Sequence, residues 1–216
     1  MNKYKDIFFG ISLLAVIVVG IITLSMLGGK NSGLSASLSD AVLPSDWTVG
    51  NPEATVSLVE YSDFQCPACG AYYPLIQTIT EEFKDQVKFT YRNFPLRQIH
   101  INADLAARSA EAAGLQGKFW EMHDLLFENQ SDWSTSSEVG SLIDGYAKEI
   151  GLDLAQFKSD VESKEVADKV EKDYQSGVAS KVSGTPTFFL NGKKIENPQS
   201  YDQFKALILK ELEPKL

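Results

Sequence analysis

The chain has two cysteines in 216 residues, and both fall in one short run, Cys66-Pro67-Ala68-Cys69. On its N-terminal side, Ala54 to Tyr61 reads as a buried strand, where Thr55, Val56, Val59 and Tyr61 come after the turn signal Gly50-Asn51-Pro52. On its C-terminal side a helix is expected: Tyr72, Tyr73, Leu75, Ile76 and Ile79 form an apolar face, and Pro74 inside it predicts a kink. A cysteine pair at a strand-to-helix junction is a severe constraint. The unpaired N–H groups and dipole of a helix start stabilise a thiolate at its first position, and a second thiol three residues on lies within bonding reach. Cys66 is therefore the candidate nucleophile and Cys69 the candidate resolving cysteine. Pro67 presets a backbone angle suited to the first helical position and removes an N–H that would lack a partner.

Two other readings of the pair stay open here. One is a structural disulfide, but so small a ring stabilises by only roughly 2 kcal/mol in the loop-entropy model. The other is half of a metal site. Two cysteines exclude a zinc centre of three or four thiolates, and only His100 and His123 are left as imidazole ligands, far from finger-like spacing. Glu60 shares strand parity with Val56 and Leu58, so it is expected to point into the core, where a carboxylate can relay the proton of Cys69. His123 shares a helical side with Phe119, Trp120 and Phe127 and reads as a packed or surface histidine. His100 reads no differently, and Trp47, Trp120 and Trp133 read as core or domain-edge anchors.

The remaining chain supplies a frame for that pair. Val87 to Phe94 is the next strand, closed by Pro95, and strand-helix-strand implies a parallel pair. From about 103 to 181 the pattern is helical, with Lys118 to Asn129 carrying Phe119, Trp120, Leu126 and Phe127 at helical spacing. Thr135 with Glu138 fits a capping box for a helix that Gly151 ends; Asp153 and Ser163 are expected to cap the next two. Thr187 to Leu190, Asn191-Gly192 and Lys193 to Ile195 read as a hairpin with a type I′ turn, and Tyr201 to Leu212 as a closing amphipathic helix. The order is β-α-β, a helical block, then β-β-α.

Composition and charge narrow the function classes. At 44% hydrophobic and 23% charged residues the chain is globular. The net charge is −9, and −11 without the +2 of Lys3, Lys5, Lys30 and Asp6, so phosphate backbones are repelled and nucleic-acid binding is excluded. Ile7 to Leu27 carries no charge, and at about 1.5 Å per residue it reaches roughly the 30 Å of a bilayer core. Residues 7–27 therefore read as a transmembrane anchor or a signal sequence after a short tail at 1–6. Either exports the domain, and Lys3 and Lys5 place the N-terminus on the cytoplasmic side. Residues 28–45 read as a flexible linker, rich in Gly, Ser and Asn up to Asp40, and 46–216 as the folded domain.

Three stretches together carry a resemblance: Val59-Glu60-Tyr61-Ser62-Asp63-Phe64-Gln65-Cys66-Pro67-Ala68-Cys69, Phe119-Trp120-Glu121-Met122-His123-Asp124, and Gly184-Thr185-Pro186-Thr187-Phe188-Phe189-Leu190-Asn191-Gly192. Over roughly 50–212 the chain resembles the thioredoxin fold, and within it the DsbA-like thiol-disulfide oxidoreductases, especially their membrane-anchored forms. The resemblance implies an α/β fold with a central mixed sheet and a helical domain inserted at about 96–181. It implies a cis Pro186 facing the cysteines and a Thr185 that offers backbone groups to an extended substrate peptide. It implies exchange of a Cys66-Cys69 disulfide with thiols of exported proteins, no metal or organic cofactor, and a membrane redox partner that reoxidises the pair. An isomerase or reductase is the neighbouring reading, and a non-catalytic peptide-binding module or holdase is one from another class. Ala68 stands where the best-known strong oxidant of the family has a histidine, which implies a less depressed Cys66 pKa than in that oxidant.

Overall fold

The computed structural model of the protein describes residues 36–214. The expected segments 1–6 and 7–27 and the first part of the linker, 28–35, lie outside the described residues. No helix among the described residues is long and apolar enough to cross a membrane.

A five-stranded mixed sheet forms the centre, in the order β1-β3-β2-β4-β5. β2 (Val56–Ser62) and β3 (Val87–Asn93) are parallel, joined through helix α1 (Pro67–Glu82). β4 (Thr187–Leu190) runs antiparallel to β2 on its other side, and β5 (Lys193–Lys194) pairs with β4. The hairpin turn places both Asn191 and Gly192 at positive φ, 48° and 75°, as a type I′ turn requires. Its second strand is one residue shorter than expected, although Ile195 N–H still donates to Phe188 O.

Between β3 and β4 lie α2 (Ala103–Leu115), α3 (Phe119–Glu128), α4 (Gln130–Trp133), α5 (Val139–Glu149), α6 (Leu154–Val161) and α7 (Lys164–Ala179). The chain closes with α8 (Tyr201–Leu212). Asp153 and Ser163 cap α6 and α7, accepting from Gln156 N and Val166 N. The expected Thr135 capping box is not formed. Glu138 is itself the N-cap of α5, and the Ser136 hydroxyl accepts its N–H instead, so the helix starts a turn later.

Both faces of the sheet are covered, so β2 and β3 are buried almost throughout, their polar residues included. On one face Val56, Leu58, Phe89 and Tyr91 pack with Cys69, Ile76 and Ile79 of α1, with Phe204 and Ile208 of α8, and with the helical block. On the other, Val59, Tyr61 and Phe189 meet Phe94 and Val182, backed by Leu38 and Tyr174.

Two expectations are corrected at the N-terminal edge. Trp47–Gly50, to which the sequence pattern assigns no element, is strand β1, antiparallel to β3. Its side chains are mostly exposed, so the alternation that marks a half-buried strand is missing. Residues 36–45, expected to belong to the linker, lie on the domain. Ser37 bridges to Lys193, Leu38 N–H donates to Gly192 O, and Ser39 bonds Ser180 and Ser176. The buried guanidinium of Arg92 holds the carbonyls of Asp40 and Ala41 and the Asp46 carboxylate. The small polar residues that suggest a tether are among those making these bonds.

Candidate active site

The end of β2 delivers Asp63 to Cys66 as a short turn. Asp63 accepts from the backbone N–H of Gln65 through Oδ1 and from that of Cys66 through its carbonyl, at 2.8 and 3.0 Å. An Asx turn of this kind is local chemistry. Cys66 is then the N-cap residue of α1, in extended conformation, with Pro67 at the first helical position. Cys66 is 7% exposed and Cys69 1%, and both are free thiols. Pro74 lies within α1, where it cannot donate to the Gly70 carbonyl.

The Thr185–Pro186 peptide bond is cis, and the Thr185 carbonyl lies 3.4 Å from Cys66 Sγ. The pairing of β4 with β2 brings together segments 119 residues apart. The Thr185 hydroxyl is buried. Asn197 Nδ2 donates to the Pro186 carbonyl at 2.7 Å.

The two thiols are electrostatically opposite. Cys66 falls from an ordinary 9.0 to about 5. The largest cause is a hydrogen bond from Cys69, then Thr185 and the backbone N–H groups of Ala68 and Cys69; burial works against them. Burial pushes Cys69 well above its ordinary value, reinforced by the hydrogen bond to Cys66 and the negative charge of Glu60. Glu60 is 5% exposed, paired across the sheet with Tyr91 and Phe188. Burial raises it to about 7, with Ser62 pulling it down and the charge on Cys66 pushing it up. A single acid able to hold or release a proton near neutrality thus lies in the field of both thiols.

The histidines are placed otherwise. His100 Nδ1 bonds Asp63 Oδ2 at 2.7 Å, so it supports the turn before Cys66. His123 is buried among Phe64, Tyr73, Tyr91, Phe119, Trp120 and Phe127, and burial lowers its pKa. No cluster of three or more His, Cys, Asp or Glu able to hold a metal occurs among the described residues. Trp133 is fully buried, and Trp47 stacks on Phe119 at 4.5 Å.

Sequence reasoning missed the residues that brace the turn from the helical block. Gln65 receives the Asn102 N–H and donates to the Ser134 carbonyl. Gln130 Nε2 donates to the carbonyls of Phe64 and Cys66, at 2.6 and 2.9 Å. The Asp63 turn is readable from its spacing; a glutamine on a helix 64 residues from Cys66 carries no local signal.

A strand-to-helix dithiol with one activated sulfur, set against a cis-proline loop on a five-stranded mixed sheet, defines a thioredoxin-fold redox site. The thioredoxin family model matches residues 43–210. Among solved structures, oxidised BdbD from Bacillus subtilis is similar at 28% identity with a TM-score of 0.73, covering 82% of this chain and 98% of that one. A thioredoxin-like oxidoreductase from Silicibacter pomeroyi DSS-3 (24% identity, TM-score 0.68, 87% and 100% covered) and alpha-DsbA1 from Wolbachia pipientis (20%, 0.70, 78% and 92%) share the fold. The chain belongs to the thioredoxin family, and its likeness to the DsbA structure is one of fold. Among curated proteins, the Na(+)/H(+) antiporter NhaA 1 of Salinispora arenicola is 36% identical over 180 residues, 82% of this chain. The chain spans 27% of that relative's length.

Proposed function

We propose that this chain introduces disulfides into exported proteins, acting as an oxidase through Cys66 and Cys69. A substrate thiolate attacks Cys66 Sγ in the disulfide form, the S–S bond breaks, and its electron pair passes to Cys69, which takes up a proton. A second substrate thiolate then attacks the substrate sulfur of the mixed disulfide and expels Cys66 as a thiolate. The substrate leaves oxidised by two electrons, and the enzyme leaves as a dithiol. Glu60 supplies or accepts the Cys69 proton. Thr185 and Pro186 hold the substrate backbone beside Cys66, and Pro67 and Ala68 shape the helix start.

The observation that carries this direction is the fall of Cys66 to about 5. A stabilised thiolate favours the reduced enzyme, so the disulfide is more oxidising. That value lies between the roughly 3.5 of DsbA and 7 of thioredoxin, in keeping with Ala68 adding no side-chain charge. Residues 7–27 tether the domain to the membrane with the site on the extracytoplasmic side, and a membrane redox partner there reoxidises the dithiol. These roles rest on the uncharged run and the family.

The decisive test is the reduction potential of the pair in the full chain, equilibrated against glutathione. A value above about −180 mV supports the oxidase, while one at or below about −250 mV identifies a reductant. Cys66→Ser should abolish oxidation of a reduced substrate, and full activity of that variant would sink the assignment.

A further inference from the structure

The turn that presents Cys66 is held by a residue that belongs neither to the sheet nor to α1. Gln130 opens α4, in the helical block, and its one amide nitrogen donates to two carbonyls of the turn, Phe64 O at 2.6 Å and Cys66 O at 2.9 Å. The Cys66 carbonyl also accepts the Gly70 N–H at 3.1 Å, the first bond of α1. One side chain thus holds the Phe64–Gln65 and Cys66–Pro67 peptide groups, and with the second of them the start of the helix whose N–H groups face the sulfur.

The packing around that amide is equally specific. A Cβ at Gly70 would lie 2.5 Å from Gln130 Oε1 and 3.0 Å from its Cδ, so the glycine is what admits the amide to α1. Gln65 on the same turn is tied to the same region through the Ser134 carbonyl and the Asn102 N–H. Of the groups that lower Cys66, all but Thr185 lie on the first turn of α1: the Cys69 thiol and the N–H groups of Ala68 and Cys69. Their aim at the sulfur depends on how Cys66 sits on the first turn of α1.

We propose that Gln130 is a positioning residue for Cys66, through which the inserted helical block sets the reactivity of the nucleophile. Its place in turnover rests on the thiol-exchange reading above, but its effect on the sulfur does not. The amide keeps the two carbonyls fixed, which keeps Cys66 Sγ over the open end of α1. In this protein the insertion is part of the redox site through one hydrogen-bond fork.

The test is made on the full chain in its reduced form. Gln130→Met keeps the length and volume against Gly70 but removes both donors. Gln130→Glu sets carboxylate oxygens against the two carbonyls and adds a negative charge beside Cys66. Thiolate absorbance and the alkylation rate of Cys66 are followed against pH, with the thermal midpoint read in parallel. The expected result is a Cys66 titration moved upward by half a unit or more in Gln130→Met and by at least one unit in Gln130→Glu. Alkylation at pH 5 should slow at least twofold and fivefold. Cys66 titrating within 0.2 units of the native chain in both folded variants would overturn the proposal, even if the midpoint fell. Should Gln130→Met not fold, Gln130→Ala with Gly70→Ala, which refills the vacated space, replaces it. Failure of that pair to fold as well would assign Gln130 to stability alone and equally overturn it. Because the readout is the sulfur's own titration, a failed oxidase assay would not be mistaken for failure here.

Discussion

Cys66 and Glu60 are pushed in opposite directions by surroundings they share. Cys66 falls to about 5 because donors converge on its sulfur, and Glu60 rises to about 7 because burial leaves its carboxylate poorly solvated. Alkylation of the reduced chain should therefore be half-maximal near pH 5, with Cys69 unmodified while folded; a midpoint above pH 8 would refute the geometry given for the thiolate. The effect on stability has a definite sign. The lowered Cys66 adds stability to the reduced fold as pH rises from about 5 to 9, lost as pH falls back through 5. Glu60 and Glu111, both raised from 4.5 to about 7, add stability below about 4.5 that is lost as pH rises through 7. In the disulfide form the Cys66 share is absent, and Glu60 and Glu111 weaken the oxidised domain from pH 5 to 8, against an opposite gain up to about pH 6.5 from His123, whose pKa burial lowers. Glu60→Gln, which carries no charge, should remove on the order of 2–3 kcal/mol of that decline. Denaturant unfolding of both oxidised proteins at the two pH values checks it, and parallel declines would contradict the Glu60 assignment.

At the scale of elements, two helical glycines separate close packing from simple propensity. Gly114, near the end of α2, lies under Trp47, whose ring carbon would be 2.2 Å from an added Cβ. That ring also stacks on Phe119 and donates to Glu111 Oε2 at 2.7 Å, which joins β1 to the helical block. Gly114→Ala should lift the indole and cost about 1–3 kcal/mol, seen as a lower thermal midpoint and altered tryptophan fluorescence. Gly145, in α5, has nothing within 4 Å of such a Cβ. Gly145→Ala should instead stabilise by about 0.5–1 kcal/mol through helix propensity. Equal midpoints for the two variants would show that Trp47 does not pack against Gly114.

Across the whole domain, the N-terminal segment is fastened by a buried charge. Arg92 is 2% exposed, bonds Asp46 at 2.7 Å and Tyr61 OH at 2.9 Å, and reaches the carbonyls of Asp40 and Ala41. Asp46→Ala leaves the guanidinium buried without its counter-ion and should cost about 3–5 kcal/mol, because a desolvated charge without its partner is worse than none. Residues 36–45 should become open to protease in that variant at pH 7. An unchanged unfolding midpoint together with unchanged proteolysis would show that the segment is held by something other than Arg92. A shortened chain begun at Pro44 would keep Asp46 but lose the Asp40 and Ala41 carbonyls on Arg92 and the bonds of Leu38 and Ser39, so reactivity is best measured on the full chain.

The Cys66–Cys69 pair, its place at a helix start, the parallel β2–β3 unit, the hairpin at Asn191-Gly192 and the extent of α8 were all legible in the sequence, because each is marked by a pattern within a short stretch of the chain or by the order of such stretches. The burial of Glu60 was legible too, from strand parity. Strand β1 was not, since its exposed side chains carry no alternation and only pairing with β3 makes it a strand. Nor was the docking of 36–45, whose partners Arg92, Ser176 and Lys193 lie far along the chain. The approach of Thr185 to Cys66, the grip of Gln130 on the turn and the support of Asp63 by His100 likewise arise from long-range closure. Spacing and propensity determined which residues could carry the chemistry. Only the tertiary structure decided what surrounds them, because burial and hydrogen bonding from distant segments set the charge each group prefers.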